Sequence, residues 1–266
     1  MTTELQQFQK ERALLSRGTL EYFVAGQGQP LLFLHSAGGV RFSAPLEALS
    51  RSHRVYIPTL PGFDGTPDLD AVGSVPELAE LMAEFLTQVA DGPVDVIGHS
   101  FGGRIAMWLA VLAPERVGQL VLESPAGLHA AGSDVLYGDP DDVRRRMYAN
   151  PERVPVEDKP LEIISRNHGA LQRYKGSTTG VDTDLLARLG EIEALTLILQ
   201  GTKDRIIPAT TARLLKERLK HAYLMYIYDA AHNIEVDQPD RFDRLVRDFL
   251  ARGEAFIINF GEEGRG

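Results

Sequence analysis

Ser100 stands in Gly98-His99-Ser100-Phe101-Gly102-Gly103, between an apolar run at 94–97 and a segment of helical period at 101–113. A serine framed in this way is a candidate nucleophile. The glycines leave room for a tight strand-to-helix turn, and the N-terminal end of the helix favours developing negative charge. Gly-x-Ser-x-Gly alone arises by chance roughly 0.1 times in a chain of this composition, so the flanking strand and helix carry the reading.

A serine hydroxyl is a weak nucleophile at neutral pH. It needs a base within hydrogen-bond reach and an acid to orient that base. Two later loops offer these groups. Gly201-Thr202-Lys203-Asp204-Arg205-Ile206-Ile207-Pro208 follows an apolar run at 195–199, and Tyr228-Asp229-Ala230-Ala231-His232-Asn233 follows another at 223–228. Asp204 reads as the acid and His232 as the base. Glu123, at the end of the run 120–122, competes for the acid's place, while Asp64 and Asp229 read as turn carboxylates serving local backbone N–H groups.

These loops need a scaffold that brings strand ends together. Short aliphatic runs alternate with helical segments, which predicts a mainly parallel sheet flanked by helices. Strands are expected at 19–24, as an early edge strand, and at 31–34, 54–57, 94–97, 120–122, 195–199 and 223–228. Helices are expected at 75–89, where Ser74 and Glu77 form a capping box, and at 101–113, 210–219 and 241–251. From 126 to 179 the strand rhythm stops, with helical pieces near 141–148 and 160–174. The division that follows is a core of 1–125 and 180–266 with a helical lid at 126–179, inserted above the strand ends where open sheets bind ligands.

The 266 residues, 44% hydrophobic and 24% charged, suit one soluble domain. A net charge of −9 argues against nucleic acid and anionic membranes as partners. The longest apolar run, 105–113, is too short to span a bilayer, and the first ten residues lack the basic start and apolar stretch of a secretory signal, so a cytoplasmic location is expected. With no cysteine, the chain has no disulfide, thiolate zinc site or cysteine nucleophile. His53, His129, His168 and His221 lie outside the motifs without metal-ligand spacing, so no metal or cofactor is expected. Oligomeric state leaves no signal in the sequence.

Taken in order, these motifs resemble the α/β-hydrolase family over residues 17–251. Leu32-Phe33-Leu34-His35 with Ser36-Ala37-Gly38-Gly39 is similar to its oxyanion loop, and Pro61-Gly62-Phe63-Asp64-Gly65 to the turn that follows. Gly98 to Gly103 resembles the nucleophile elbow, the Asp204 segment the acid loop, and Ala231-His232 with Asp237-Gln238-Pro239-Asp240-Arg241-Phe242 the histidine loop and last helix. The resemblance implies an eight-stranded, mainly parallel sheet with an inserted lid, a Ser100-Asp204-His232 triad, and an oxyanion hole made by the backbone N–H groups of Ala37 and Phe101. Ser36 stands where the family usually has glycine, which narrows the loop's conformations or offers a hydroxyl to substrate. His35 is expected to brace that loop and His99 to form a wall of the site.

A serine in the elbow speaks against the family branches that use aspartate there. Ester hydrolysis of a small molecule is the favoured reading. Carbon–carbon hydrolysis of dienoic ring-fission products is the nearest rival, but such enzymes carry Asn before the serine and Trp after the histidine, where this chain has His99 and Asn233. Trp108, well inside the helix after Ser100, speaks against a perhydrolase. A small-molecule receptor on the same fold remains the reading from another class. Leu136, Met147, Tyr148, Ile163, Ile164, Leu171 and Tyr174 of the lid could line an apolar pocket or pack the lid helices on one another; Ser36 and His99 complete the candidate substrate contacts.

Overall fold

The computed structural model describes residues 8–129, 139–155, 159–175 and 180–256. Its strands are β1 (Gln9–Leu15), β2 (Gly18–Ala25), β3 (Gln29–Leu34), β4 (His53–Pro58), β5 (Val94–His99), β6 (Val117–Glu123), β7 (Thr196–Gly201) and β8 (Ala222–Ile227). The helices are α1 (Ala44–Leu49), α2 (Val75–Val89), α3 (Phe101–Leu112), α4 (Pro140–Met147), α5 (Leu161–Lys175), α6 (Thr183–Arg188), α7 (Ala209–Arg218), α8 (Ile234–Asp237) and α9 (Pro239–Arg252).

The eight strands form one sheet in the order β1-β2-β4-β3-β5-β6-β7-β8. Only the β1–β2 and β2–β4 pairings are antiparallel. This is the α/β-hydrolase fold. The segment read as an edge strand, 19–24, lies inside β2 and is covered by β1, which takes the edge. β1 escapes a hydrophobicity reading because only Ala13 and Leu15 of its seven residues turn inward.

Strand alternation feeds two cores. In β3, Leu32 and Leu34 join the layer of α2 and α3, while Leu31 and Phe33 join that of α1 and α9. α9 presents Phe242, Val246, Phe249 and Leu250 to the sheet, the i, i+4, i+7, i+8 stripe of a helix buried on one side. Sheet order reverses between β3 and β5, since β4 lies on one side of β3 and all later strands on the other. The loops after β3 and β5 therefore leave the sheet side by side at the switch point. Among the described residues no helix is long and apolar enough to cross a membrane.

Candidate active site

β5 ends at His99 and α3 begins at Phe101, leaving Ser100 alone to turn the chain with φ 53° and ψ −111°. Positive φ is costly for a residue with a side chain, and the surroundings over-determine it here. Ser100 N–H donates to the Glu123 carbonyl at 2.9 Å, and the Ser100 carbonyl accepts from Ala126 N–H at 2.9 Å and Arg104 N–H at 3.2 Å. The glycines are sterically required. A Cβ on Gly98 would lie 2.6 Å from the Gly102 carbonyl oxygen, and one on Gly102 would lie 2.0 Å from that of Leu34. The bare backbone of Gly102 thus lets the end of β3 press against the first turn of α3. Phe101 opens that turn, so its N–H has no intrahelical acceptor.

The loops after β7 and β8 bring Asp204 and His232 together. His232 Nδ1 and Asp204 Oδ2 are 3.2 Å apart, with both side chains buried. Asp204 Oδ1 accepts from Ile206 N–H at 2.8 Å and Ile207 N–H at 2.9 Å, and Gln200 Nε2 donates to Oδ2 at 3.3 Å. Burial alone would raise this carboxyl's pKa, but the His232 ring and the two loop N–H groups outweigh it and hold the group below the usual carboxylate range. Glu123 is engaged elsewhere: its Oε1 accepts from Glu235 N–H at 2.9 Å.

His35 braces the loop after β3. Its Nε2 accepts from Leu60 N–H at 3.1 Å, which fixes the proton on Nδ1, and Nδ1–H donates to the Ser36 carbonyl at 2.7 Å. Burial brings its pKa down to about 4, so the ring stays neutral. The Ser36 hydroxyl accepts from Gly38 N–H at 3.3 Å, turning the loop from within. Asp64 departs from its expected local role. Its Oδ2 accepts from Val40 N–H at 2.6 Å in the loop after β3, and its Oδ1 accepts from Lys159 Nζ at 2.7 Å and Asn167 Nδ2 at 3.0 Å. Lys159 and Asn167 also donate to the Gly38 carbonyl, at 2.7 and 3.0 Å. Sequence reasoning found neither residue, because a polar side chain whose partners lie about a hundred positions away carries no local signal. Asp229 likewise pairs with Lys203 and Asn150 rather than with its own turn.

The other predicted contacts divide. Tyr174 stacks on Phe63 and lies 6.2 Å, ring to ring, from Phe101, while its hydroxyl donates to the Pro61 carbonyl at 2.9 Å. With the buried Leu171 it packs α5 onto the elbow. The Tyr148 hydroxyl accepts from Arg41 at 2.7 Å, and the Met147 carbonyl accepts from Asn233 N–H, next to His232, at 3.2 Å. Ile163 lies against Gly65 and Ile164 is exposed; Leu136 lies outside the described residues. A polar cleft of ≈ 190 Å³ between Arg166 and Arg173 of α5 and the turn at Gly62 and Thr66 contains none of the triad candidates.

Behind the serine, His99 Nε2 donates to the His232 carbonyl at 3.1 Å, which leaves its lone pair on Nδ1. His99, Glu123 and Glu235 are all buried, with ligand-type atoms within 4.8 Å of one another.

Comparison with known proteins agrees with this architecture. The profile described as "Alpha/beta hydrolase family" matches residues 31–245. The 2-hydroxymuconate semialdehyde hydrolase of Pseudomonas putida is 30% identical over 255 residues, covering 86% of this chain and 90% of the relative. A pimeloyl-[acyl-carrier protein] methyl ester esterase of Photobacterium profundum is 27% identical, covering 85% and 96%. The solved structure of 2-hydroxy-6-oxo-6-phenylhexa-2,4-dienoate hydrolase from Rhodococcus sp. strain RHA1 superposes with a TM-score of 0.75 at 20% identity, covering 92% of this chain and 99% of that one. The protein is an enzyme of the alpha/beta hydrolase family.

Proposed function

We propose that this hydrolase cleaves a small-molecule carboxylic ester through an acyl-enzyme on Ser100. The observations that carry the reading are Ser100 held at φ 53° in the strand-to-helix turn and a His232–Asp204 pair 3.2 Å apart, in the chain order nucleophile, acid, base. His232 takes the hydroxyl proton as Ser100 Oγ attacks the carbonyl, and Asp204 steadies the imidazolium. The backbone N–H groups of Ala37 and Phe101 receive the oxyanion, each worth about 3 kcal/mol in the transition state. Collapse expels the alkoxide, which takes the proton from His232. Water, activated by the same ring, then frees the acid and restores Ser100. The segment 126–179 acts as the lid that selects the substrate.

A second reading, hydrolysis of a carbon–carbon bond in a dienoate-type ring-fission product, draws support from the 30% identical relative. Against it stand His99, whose ring is committed to the His232 carbonyl, and Asn233, at the positions where such enzymes carry Asn and Trp. The test is a fluorophosphonate probe with p-nitrophenyl esters from acetyl to decanoyl and a dienoate ring-fission product, assayed on wild type and Ser100→Ala. Labelling confined to Ser100, with ester turnover that Ser100→Ala loses, is expected. Turnover of the dienoate alone would move the assignment to the second reading, and an active Ser100→Ala protein would overturn both.

A further inference from the structure

Two carboxylates lie buried under the histidine loop, and neither belongs to the triad. Glu123, at the end of β6, is fully buried. Its Oε1 accepts from Glu235 N–H, but Oε2 has no hydrogen-bond partner. Glu235, at the start of α8 and three residues beyond His232, is equally enclosed, and its Oε2 accepts from Ser43 Oγ at 2.7 Å. Two ionised carboxylates at this distance, away from water, repel without screening, so the pair must hold a neutralising charge.

The surroundings say where that charge sits. Facing the pair are neutral His99 from β5, the backbone of His232, Asp204 from the loop after β7, and Arg41 with Ser43 from the loop before α1. Burial raises the Glu235 carboxyl's pKa, but the Ser43 hydroxyl and the Arg41 charge work against that and favour its ionised form, help that Glu123 lacks. Burial, then the negative charges of Glu235 and Asp204, disfavour ionised Glu123.

We propose that Glu123 is protonated at neutral pH and donates from Oε2 to the Glu235 carboxylate, clamping the His232 loop onto the end of β6. Glu123 grips the loop twice, accepting Glu235 N–H with one oxygen and donating to the Glu235 side chain with the other. His99, beside the nucleophile, holds the His232 carbonyl from below. Glu123 is thus a positioning residue for the base.

This inference rests on the acyl-enzyme reading only where it concerns activity. Glutamine reproduces a protonated glutamate, offering one acceptor and one donor but never ionising. Glu123→Gln is expected to keep the rate of Ser100 labelling within about twofold of wild type at neutral pH, and Glu123→Ala to lower it about tenfold. At alkaline pH the wild-type labelling rate should fall as Glu123 ionises and the clamp opens, a limb that Glu123→Gln lacks. The wild-type-minus-Glu123→Gln infrared difference spectrum at neutral pH should show a protonated-carboxyl C=O band, a reading independent of any activity. Absence of that band, or a Glu123→Gln variant as slow as Glu123→Ala, would overturn the proposal. The first result would mean that both carboxylates are ionised and balanced by a bound cation; the second would make Glu123 an ionised partner of the triad.

Discussion

Replacing Asp204 by asparagine tests the triad where its geometry is most constrained. Two backbone N–H groups, 2.8 and 2.9 Å away, point at Oδ1, so the asparagine carbonyl must take that side. Its NH₂ then occupies the Oδ2 side, where the Gln200 amide at 3.3 Å and His232 Nδ1 at 3.2 Å meet the native oxygen. Donor now faces donor. Gln200 can rotate away, but His232 can only turn its lone pair to the amide, which moves its proton to Nε2, the nitrogen that the proposed acyl-enzyme course requires to be free. A histidine in that tautomer cannot accept the Ser100 proton. The expected loss is about 10⁴-fold in kcat, or about 5.5 kcal/mol, the order seen when the acid of a Ser-His-Asp triad is changed in this way. Folding should suffer far less, about 1.5–3 kcal/mol for a charge-assisted hydrogen bond, because both backbone donors keep their acceptor. The assay is the rate of fluorophosphonate labelling of Ser100 beside a thermal melt. A folded Asp204→Asn protein labelled within tenfold of the wild-type rate would refute Asp204 as the orienting acid and return the role to Glu123.

Two further outcomes probe the frame. Gly102→Ala would place a methyl 2.0, 2.5 and 2.7 Å from backbone atoms of Leu34 and His35, none of which can rotate aside; a cost of about 3 kcal/mol or more, read as a melting temperature roughly 6–12 °C lower, is expected, and an unchanged melt would contradict the close approach. Asp182→Ala would strand the partly buried Arg104 guanidinium and the Trp108 indole N–H, which the carboxylate accepts at 2.7 and 2.9 Å, so about 3 kcal/mol should be lost and the fluorescence of the single tryptophan altered. Burial raises the Asp182 carboxyl's pKa, but the Leu185 N–H, Trp108 and Arg104 together hold it below normal. Its contribution is therefore present above the unfolded carboxylate pKa and lost as pH falls through the lower folded value, and a wild-type acid-unfolding curve that matches the variant's would refute it.

What the sequence made legible follows from where each signal resides. The elbow could be read because Gly98 and Gly102 are demanded by backbone contacts within and beside one turn, and β3, β5, β6 and β7 because strands buried on both faces read as unbroken aliphatic runs. Asp204 and His232 followed from loop position after such strands. β1 and α1 did not show: one wets a whole face, and the other is six residues long and leans on its Ser43 cap and Pro45. The supports of the site were equally hidden. Lys159 and Asn167, on the inserted segment, meet Gly38 and Asp64 only after the chain has folded, and Glu235 looks like an ordinary helix-start carboxylate until β6 brings Glu123 beneath it.

The grip of Lys159 and Asn167 on Gly38 would tie the entrance of the enzyme to its chemistry if the inserted segment is the proposed lid. Both residues lie on that segment, and both hold the carbonyl of Gly38, one residue beyond Ala37. Were the segment to swing aside for a large substrate, the proposed oxyanion donor, Ala37 N–H, would lose its fixed direction, and closing would restore it. Admission and reactivity would then be two readings of a single equilibrium. Unproductive water attack would be suppressed while the entrance stood open, and a substrate too large to let α5 reseat would bind without being cleaved.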